Sequence, residues 1–218
     1  MPEMSSGTGP IQRAADHGGA EPPVEADVRN RHPYIEPRYT DELEMIHRSG
    51  ERLTMPALPH GYTLRAFDDR DAAAYQELFA LAWPDTGALA ATRRYALPGG
   101  FLVVEHDASR QLVSSCVAFA PESPERHPDD GSLGWLVTDP AHAGRGLAAV
   151  VASITTNLLV EAGYRRPWLQ TEDERIVALR LYLRLGWCPY LYAEGMEVRW
   201  RSVFDRIGER FTLEQCIR

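Results

Sequence analysis

The sequence predicts a single mixed α/β (α+β) domain, a central mixed and mostly antiparallel sheet flanked by helices, on three observations. Phe101 to Glu105 and Leu112 to Phe119 are apolar runs joined across the polar stretch Asp107 to Arg110, which is the signature of a hairpin. Leu133 to Thr138, a glycine-bearing loop, a helical period from Leu147 and a second apolar run at Trp168 to Thr171 then spell one βαβ unit. Antiparallel strands followed by a single crossover give a mixed sheet rather than the repeated βαβ of a doubly wound fold. The 218 residues, 44% of them apolar, suffice for one such domain with its own core.

Taken in order, residues 1–30 are rich in Gly, Pro, Glu and Ala without periodicity and read as a disordered tail. Residues 31–60 read as a helical arm: Asp41 with Glu44 three residues on suggests a capping box, Leu43 and Ile46 lie inside the turn, and Gly50 ends it. The domain proper is expected over 61–202, with 203–218 as a C-terminal extension. It opens with a strand, Tyr62 to Phe67, and a helix capped by Asp68 that runs to Ala82 on an apolar face of Ala72, Tyr75 and Phe79 before Pro84. After the hairpin, Pro121 to Asp130 forms a loop into the Leu133 strand, and Gly163 stops the helix that follows. Beyond the Trp168 strand, Glu174 to Leu185 is a helix with Ile176, Leu179 and Leu183 inward. Tyr190 to Ala193 and Met196 to Arg201 are read as a last hairpin around Glu194-Gly195.

The chemistry concentrates between Gly134 and Trp187. Asp139-Pro140 ends the Leu133 strand, and Gly144, Arg145, Gly146, Leu147 and Ala148 open the next helix. The first N–H groups of a helix lack intrahelical partners and carry the positive end of its dipole, and glycines let an anion approach them. Arg145 adds a full positive charge. A P-loop is excluded because no Lys-Ser or Lys-Thr follows the second glycine. The run also fits G-x-G-x-x-A, the dinucleotide fingerprint, with Glu172 as a ribose-binding acid. Here, however, five residues separate strand from glycine, and Glu172 lies too far downstream.

With this loop and the downstream Ala178, Leu181-Tyr182 and Leu185-Gly186-Trp187, the stretch from about Tyr62 to Arg201 resembles the GNAT superfamily of acyl-CoA-dependent N-acetyltransferases. Gly146 and Ala148 match the family loop, while Ala143 stands where Arg or Gln is usual. The resemblance implies acetyl-CoA as cosubstrate, its pyrophosphate held at Ala143, Gly144, Arg145, Gly146, Leu147 and Ala148. It also implies a sheet splayed between the Leu133 and Trp168 strands to admit the pantetheine, with Leu136, Val137 and Thr138 contributing backbone contacts. Tyr182 matches the tyrosine that faces the thiol sulfur. A phenol near pKa 10 facing a thiol near 8.5 is a poor full acid, by about 2 kcal/mol, but a good hydrogen-bond donor to developing negative charge.

An amine with a lysine-like pKa is neutral only about once in a thousand molecules at pH 7, so a base or a water chain is expected. Many family members place a glutamate twelve residues before the tyrosine; this chain has Gln170 there. Glu172, two residues on and on the same face if the strand continues, is the named candidate, with Asp139 and His142 as others. Arg175 stands where an asparagine commonly contacts the cofactor and could reach a CoA phosphate.

The net charge of −8 argues against general nucleic-acid binding and suits a small-molecule or peptide amine, although an acidic surface also serves solubility. Three distant cysteines, Cys116, Cys188 and Cys216, form neither a disulfide framework nor a zinc site, and the histidines lack ligand spacing, so no metal is expected. No apolar run reaches membrane-span length and no signal peptide opens the chain, hence a cytoplasmic protein without membrane partner is expected. A homodimer is admitted by this reading. Trp83, Trp135, Trp168, Trp187 and Trp200 are core residues or the lining of an acceptor pocket. Besides the transferase, a non-catalytic acyl-CoA-binding or regulatory module of the same fold and a dinucleotide-binding enzyme are kept as alternatives.

Overall fold

The computed structural model describes residues 42–48, 52–84, 89–121 and 126–218. A seven-stranded sheet comprises β1 (Leu43–His47), β2 (Tyr62–Ala66), β3 (Ala96–His106), β4 (Leu112–Phe119), β5 (Ser132–Thr138), β6 (Trp168–Thr171) and β7 (Trp187–Tyr190), in the spatial order β2-β3-β4-β5-β6-β1-β7. Only β5 and β6 run parallel; the other neighbours are antiparallel. The mixed sheet expected from the sequence is therefore present. Helices α1 (Ala72–Ala80) and α2 (Leu89–Tyr95) precede β3, α3 (Leu147–Glu161) joins β5 to β6, α4 (Ile176–Arg184) joins β6 to β7, and α5 (Met196–Ile207) follows β7.

Two apolar clusters divide the core. One gathers Val151 and Leu159 of α3, Leu179 and Tyr182 of α4 and Trp200 and Phe204 of α5 with Leu43, Met45 and Leu169 of the sheet. The other gathers Tyr75, Leu78 and Phe79 of α1 with Phe101, Val103, Trp135 and Val137 on the opposite sheet face. Asp68 caps a short 3-10 turn (Asp69–Asp71) through a capping box before α1 begins, so the first helix starts one turn later than expected.

Two expectations are corrected. Leu43 to His47 is not a helical turn but a fully buried strand inserted between β6 and β7. The spacing that suggests a helix, Leu43 with Ile46, is overridden by pairing on both edges, which satisfies the strand's backbone and buries both faces. Asp41 and Gly50, its expected cap and stop, lie outside the described residues, as do the tail and residues 31–41 of the arm. The last hairpin is also absent: Gly195 is the N-cap of α5, and Met196, Trp200, Val203, Phe204 and Ile207 follow helical spacing into the core. β1 thus belongs to the sheet, α5 runs to Ile207, and Ile217 bridges the edge strand at Tyr190. Between α1 and β3, α2 forms around the buried Thr92.

Candidate active site

The glycine loop stands where it is expected. Asp139 accepts from the Ala141 N–H at 2.8 Å and its own N–H donates to Val113 O at 2.8 Å, which turns the chain out of β5. His142 follows, with Nδ1 2.8 Å from the Tyr62 hydroxyl. Both residues, weighed as bases from the sequence, are thus engaged in shaping the approach to the loop. Gly144 and Gly146 then take φ of +73° and +84°, and Gly146 is the N-cap of α3 with no side chain to cap the first amides. A Cβ at either glycine would meet nothing within 4 Å, so backbone conformation rather than crowding selects glycine here. Residues 143–146 are exposed, Leu147 is buried as an anchor, and Ala148 is half-buried against the first cluster. The result is an open row of helix-head amides beside Arg145, whose guanidinium reaches back to Ala141 O at 3.5 Å.

Next to the loop the sheet opens. β5 and β6 share a single register pair, Ser132 with Trp168, and diverge beyond it. On its β4 side, β5 is well satisfied: Ser114 Oγ donates to Val137 O at 2.9 Å and lies 2.8 Å from Thr138 Oγ1, and Ser115 Oγ donates to Trp135 O at 3.4 Å. The other edge, along Leu136, Val137 and Thr138, has no ladder partner among the described residues. A bulge re-aims this edge. The register slips between Ser115 and Val117, and Trp135 takes a φ of +52°, a strained value for an aromatic residue. Gly134 permits it, because a Cβ there would come within 2.7 Å of the Phe119 ring. Gly134 beside a bulky residue is the one mark of this bulge in the sequence.

Tyr182 lies on α4, only 5% exposed and 6.4 Å, centroid to centroid, from Trp187. Burial raises its pKa well above the usual phenol value, the nearby Cys116 thiol adds to the rise and the Arg175 guanidinium opposes it. Its hydroxyl therefore stays protonated as a donor. Burial likewise pushes the Cys116 thiol up to about 12, which leaves it neutral and unreactive.

Glu172 and Arg175 come together on the other side of the opening. Arg175 Nε donates to Glu172 at 3.0 Å, and its guanidinium carbon lies 4.7 Å from the centroid of Trp83. Trp83 packs edge-on against Trp135 at 4.9 Å and on Phe79 at 4.8 Å. Arg175 is thus committed to Glu172 and Trp83, and the chain of contacts links the head of α4 to the β5 bulge. Trp168, Trp187 and Trp200 are fully buried core residues; Trp83 and Trp135 are the tryptophans that flank the opening. A small cleft beside them is lined by Tyr75, Phe79, Trp83 and Leu89.

One cluster was missed from sequence. Glu44, fully buried in β1, accepts from Arg126 Nε at 2.9 Å and also from Arg126 Nη2, and its second oxygen lies 2.8 Å from His127 Nε2. His127 stacks on Trp168 at 4.4 Å. No group of residues suited to a metal occurs among the described residues.

A bulged strand, an opened sheet and a glycine-headed helix leave a row of backbone groups without ladder or cap partners between β5 and α3 among the described residues. The acetyltransferase (GNAT) family model matches residues 57–187, and the chain belongs to that family. It is 27% identical over 186 residues to a mycothiol acetyltransferase of Frankia casuarinae, a match covering 78% of this chain and 54% of the relative. The fold is similar to a GCN5-related N-acetyltransferase of Sphaerobacter thermophilus (TM-score 0.55, 23% identity, 67% of this chain and 47% of that one). It is also similar to a GNAT-family acetyltransferase of Novosphingobium aromaticivorans (TM-score 0.50, 24% identity, 67% and 58%). The chain spans about half the length of these relatives.

Proposed function

We propose that the protein is an N-acetyltransferase that moves the acetyl group of acetyl-CoA to a primary amine of a small molecule or peptide by direct attack in a ternary complex. The observation that carries this reading is the open amide row at the head of α3, set beside the unpaired edge of β5. Gly144 to Ala148, with Arg145, present donors and positive potential for a pyrophosphate. The pantetheine runs along Leu136, Val137 and Thr138, whose free backbone groups hold the thioester and polarise its carbonyl. Tyr182, kept neutral by burial, donates a hydrogen bond to the sulfur as the C–S bond breaks.

The acceptor approaches from the side of Trp83 and Trp135. Glu172 supplies the negative potential that draws an ammonium group there. Its oxygens lie 3.0 and 3.4 Å from Arg175 nitrogens, and this pairing supports a role in attraction and orientation rather than in proton abstraction. Arg175, paired with Glu172 and set against Trp83, in turn holds the mouth. No described helix is long and apolar enough to cross a membrane.

Calorimetry with acetyl-CoA, followed by a thiol-release assay over a panel of amines, tests the proposal. Binding together with acceptor-dependent thiol release is the expected result. Binding without release for any acceptor would favour a regulatory acyl-CoA-binding module.

A further inference from the structure

β4 carries two consecutive serines, Ser114 and Ser115, in an otherwise apolar strand, and both are fully buried. A buried hydroxyl without a hydrogen-bond partner destabilises the core, so the partners it takes are informative. Both serines donate to backbone carbonyls of β5: Ser114 Oγ to Val137 O at 2.9 Å, and Ser115 Oγ to Trp135 O at 3.4 Å. A carbonyl only accepts, so the single hydroxyl hydrogen of Ser114 is committed to Val137. The Thr138 hydroxyl, 2.8 Å away, is then the donor to Ser114 Oγ.

A peptide group is planar and trans, so its C=O and the N–H of the next residue point to opposite sides. With Val137 O and Trp135 O turned toward β4, the Thr138 and Leu136 N–H groups turn the other way, to the edge where β5 and β6 have parted. The Val137–Thr138 peptide is also held by the ladder, since Val137 pairs with Ser115 and the Asp139 N–H donates to Val113 O. The Trp135–Leu136 peptide lies outside that ladder: both residues fall between the registered pairs Ser115–Val137 and Val117–Gly134, and the φ of +52° at Trp135 favours relaxation. Ser115 holds the carbonyl of this strained peptide in place.

We propose that Ser115 and Ser114 are positioning residues of acetyl transfer: by holding two peptide planes of β5 they aim the Leu136 N–H at the thioester carbonyl and the Thr138 N–H at an amide carbonyl of the pantetheine. The proposal rests on the acetyl-transfer reading. Thr138 is the residue of this edge nearest the loop that takes the pyrophosphate, and Leu136 lies two residues, about 7 Å, farther from it. The thioester, at the far end of the pantetheine, therefore meets Leu136. Negative charge builds on the carbonyl oxygen as the amine attacks, and an N–H already fixed toward that oxygen stabilises the charge without having to turn. The hydroxyl chain from Thr138 through Ser114 to Val137 O polarises the second peptide and strengthens its N–H as a donor. Neither serine touches the cosubstrate; both act through the backbone of β5.

The test reads the infrared carbonyl band of acetyl-CoA labelled with ¹³C at the thioester carbon, which falls in frequency when an N–H points at the oxygen. Bound to the parent, the band is expected below that of free acetyl-CoA. Ser115→Ala is expected to return it toward the free value and to lower kcat with the best amine of the panel about tenfold, with acetyl-CoA affinity kept. The loss is smaller than the roughly 10² to 10³ for deleting an oxyanion donor because the N–H itself remains. Ser114→Ala is expected to weaken acetyl-CoA binding several-fold and leave the band at the parental position, and Thr138→Val, of the same shape at a half-buried position, to do so to a smaller extent. A loss of packing alone would lower stability without moving the band. Folded variants with the parental band, kcat and affinity would overturn the proposal and leave the serines as satisfied core hydroxyls. Should the alanine variants not fold, the parent decides: a bound band unmoved from that of free acetyl-CoA contradicts the proposal. A parent that binds no acetyl-CoA, or releases no thiol with any amine, would overturn the acetyl-transfer reading and this proposal with it.

Discussion

The guanidinium carbon of Arg175 lies 4.7 Å from the Trp83 ring centroid, while its Nε donates to Glu172 at 3.0 Å. One side chain thus ties the start of α4 to the segment after α1, across the place where β5 and β6 part. Arg175→Ala should cost about 1 kcal/mol of stability, since a half-exposed ion pair and one cation–π contact are each small. Its larger effect should be on the acceptor, with KM rising and acetyl-CoA affinity little changed. Denaturant melts and steady-state kinetics on the same variant check both parts.

Glu172→Gln separates attraction from abstraction. If Glu172 draws the ammonium group without taking its proton, the variant raises the acceptor KM, most clearly at low salt, and leaves kcat within a few-fold of the parent. A fall in kcat of about 10² or more with KM unchanged would make Glu172 the base instead.

Gly146→Asp should abolish measurable acetyl-CoA binding, because the φ of +84° disfavours any side chain and the new anion sits where phosphate meets the amides. Arg145→Ala should weaken binding modestly, by removal of one exposed charge. Calorimetry with both proteins checks the order of the two effects.

Stability against pH carries a signature of the buried donors. Burial raises the folded-state pKa of Tyr182 above its ordinary 10 and that of Cys116 from 9 to about 12. Both groups therefore bind their protons more tightly in the folded state, so their contribution is intact below pH 9 and is lost as pH rises through the alkaline range. Urea midpoints should be flat from pH 7 to about 8.5 and fall above 9 to 10. Cys116→Ala should make that fall shallower; an unchanged slope would contradict the burial argument.

How much of this was legible in the sequence depends on how local each signal is. The α3 segment was readable because Leu147, Val150, Val151 and Leu159 repeat at helical spacing and the glycines and Pro140 punctuate it. Five residues such as Leu43 to His47 fit a helical turn and a buried strand equally, and only the gap between β6 and β7 decides. The α5 period, Met196, Trp200, Val203, Phe204 and Ile207, was present, but Glu194-Gly195 reads as a hairpin turn until Gly195 is seen as a helix cap. The bulge at Trp135 depends on how β4 and β5 pair, and the contact of Glu44 with His127 spans 83 residues, so neither has a local mark. Tyr182 and the glycine loop are legible as candidates because their spacing belongs to one contiguous unit.

The most direct test of the account is Tyr182→Phe, which keeps the ring and its packing and removes the hydroxyl alone. Acetyl-CoA affinity should stay at the parental value while kcat with the best acceptor falls by about 10² to 10⁴, since the hydrogen bond to sulfur is made only as the thioester breaks. A phenylalanine variant that binds acetyl-CoA and turns over as fast as the parent would contradict the mechanism.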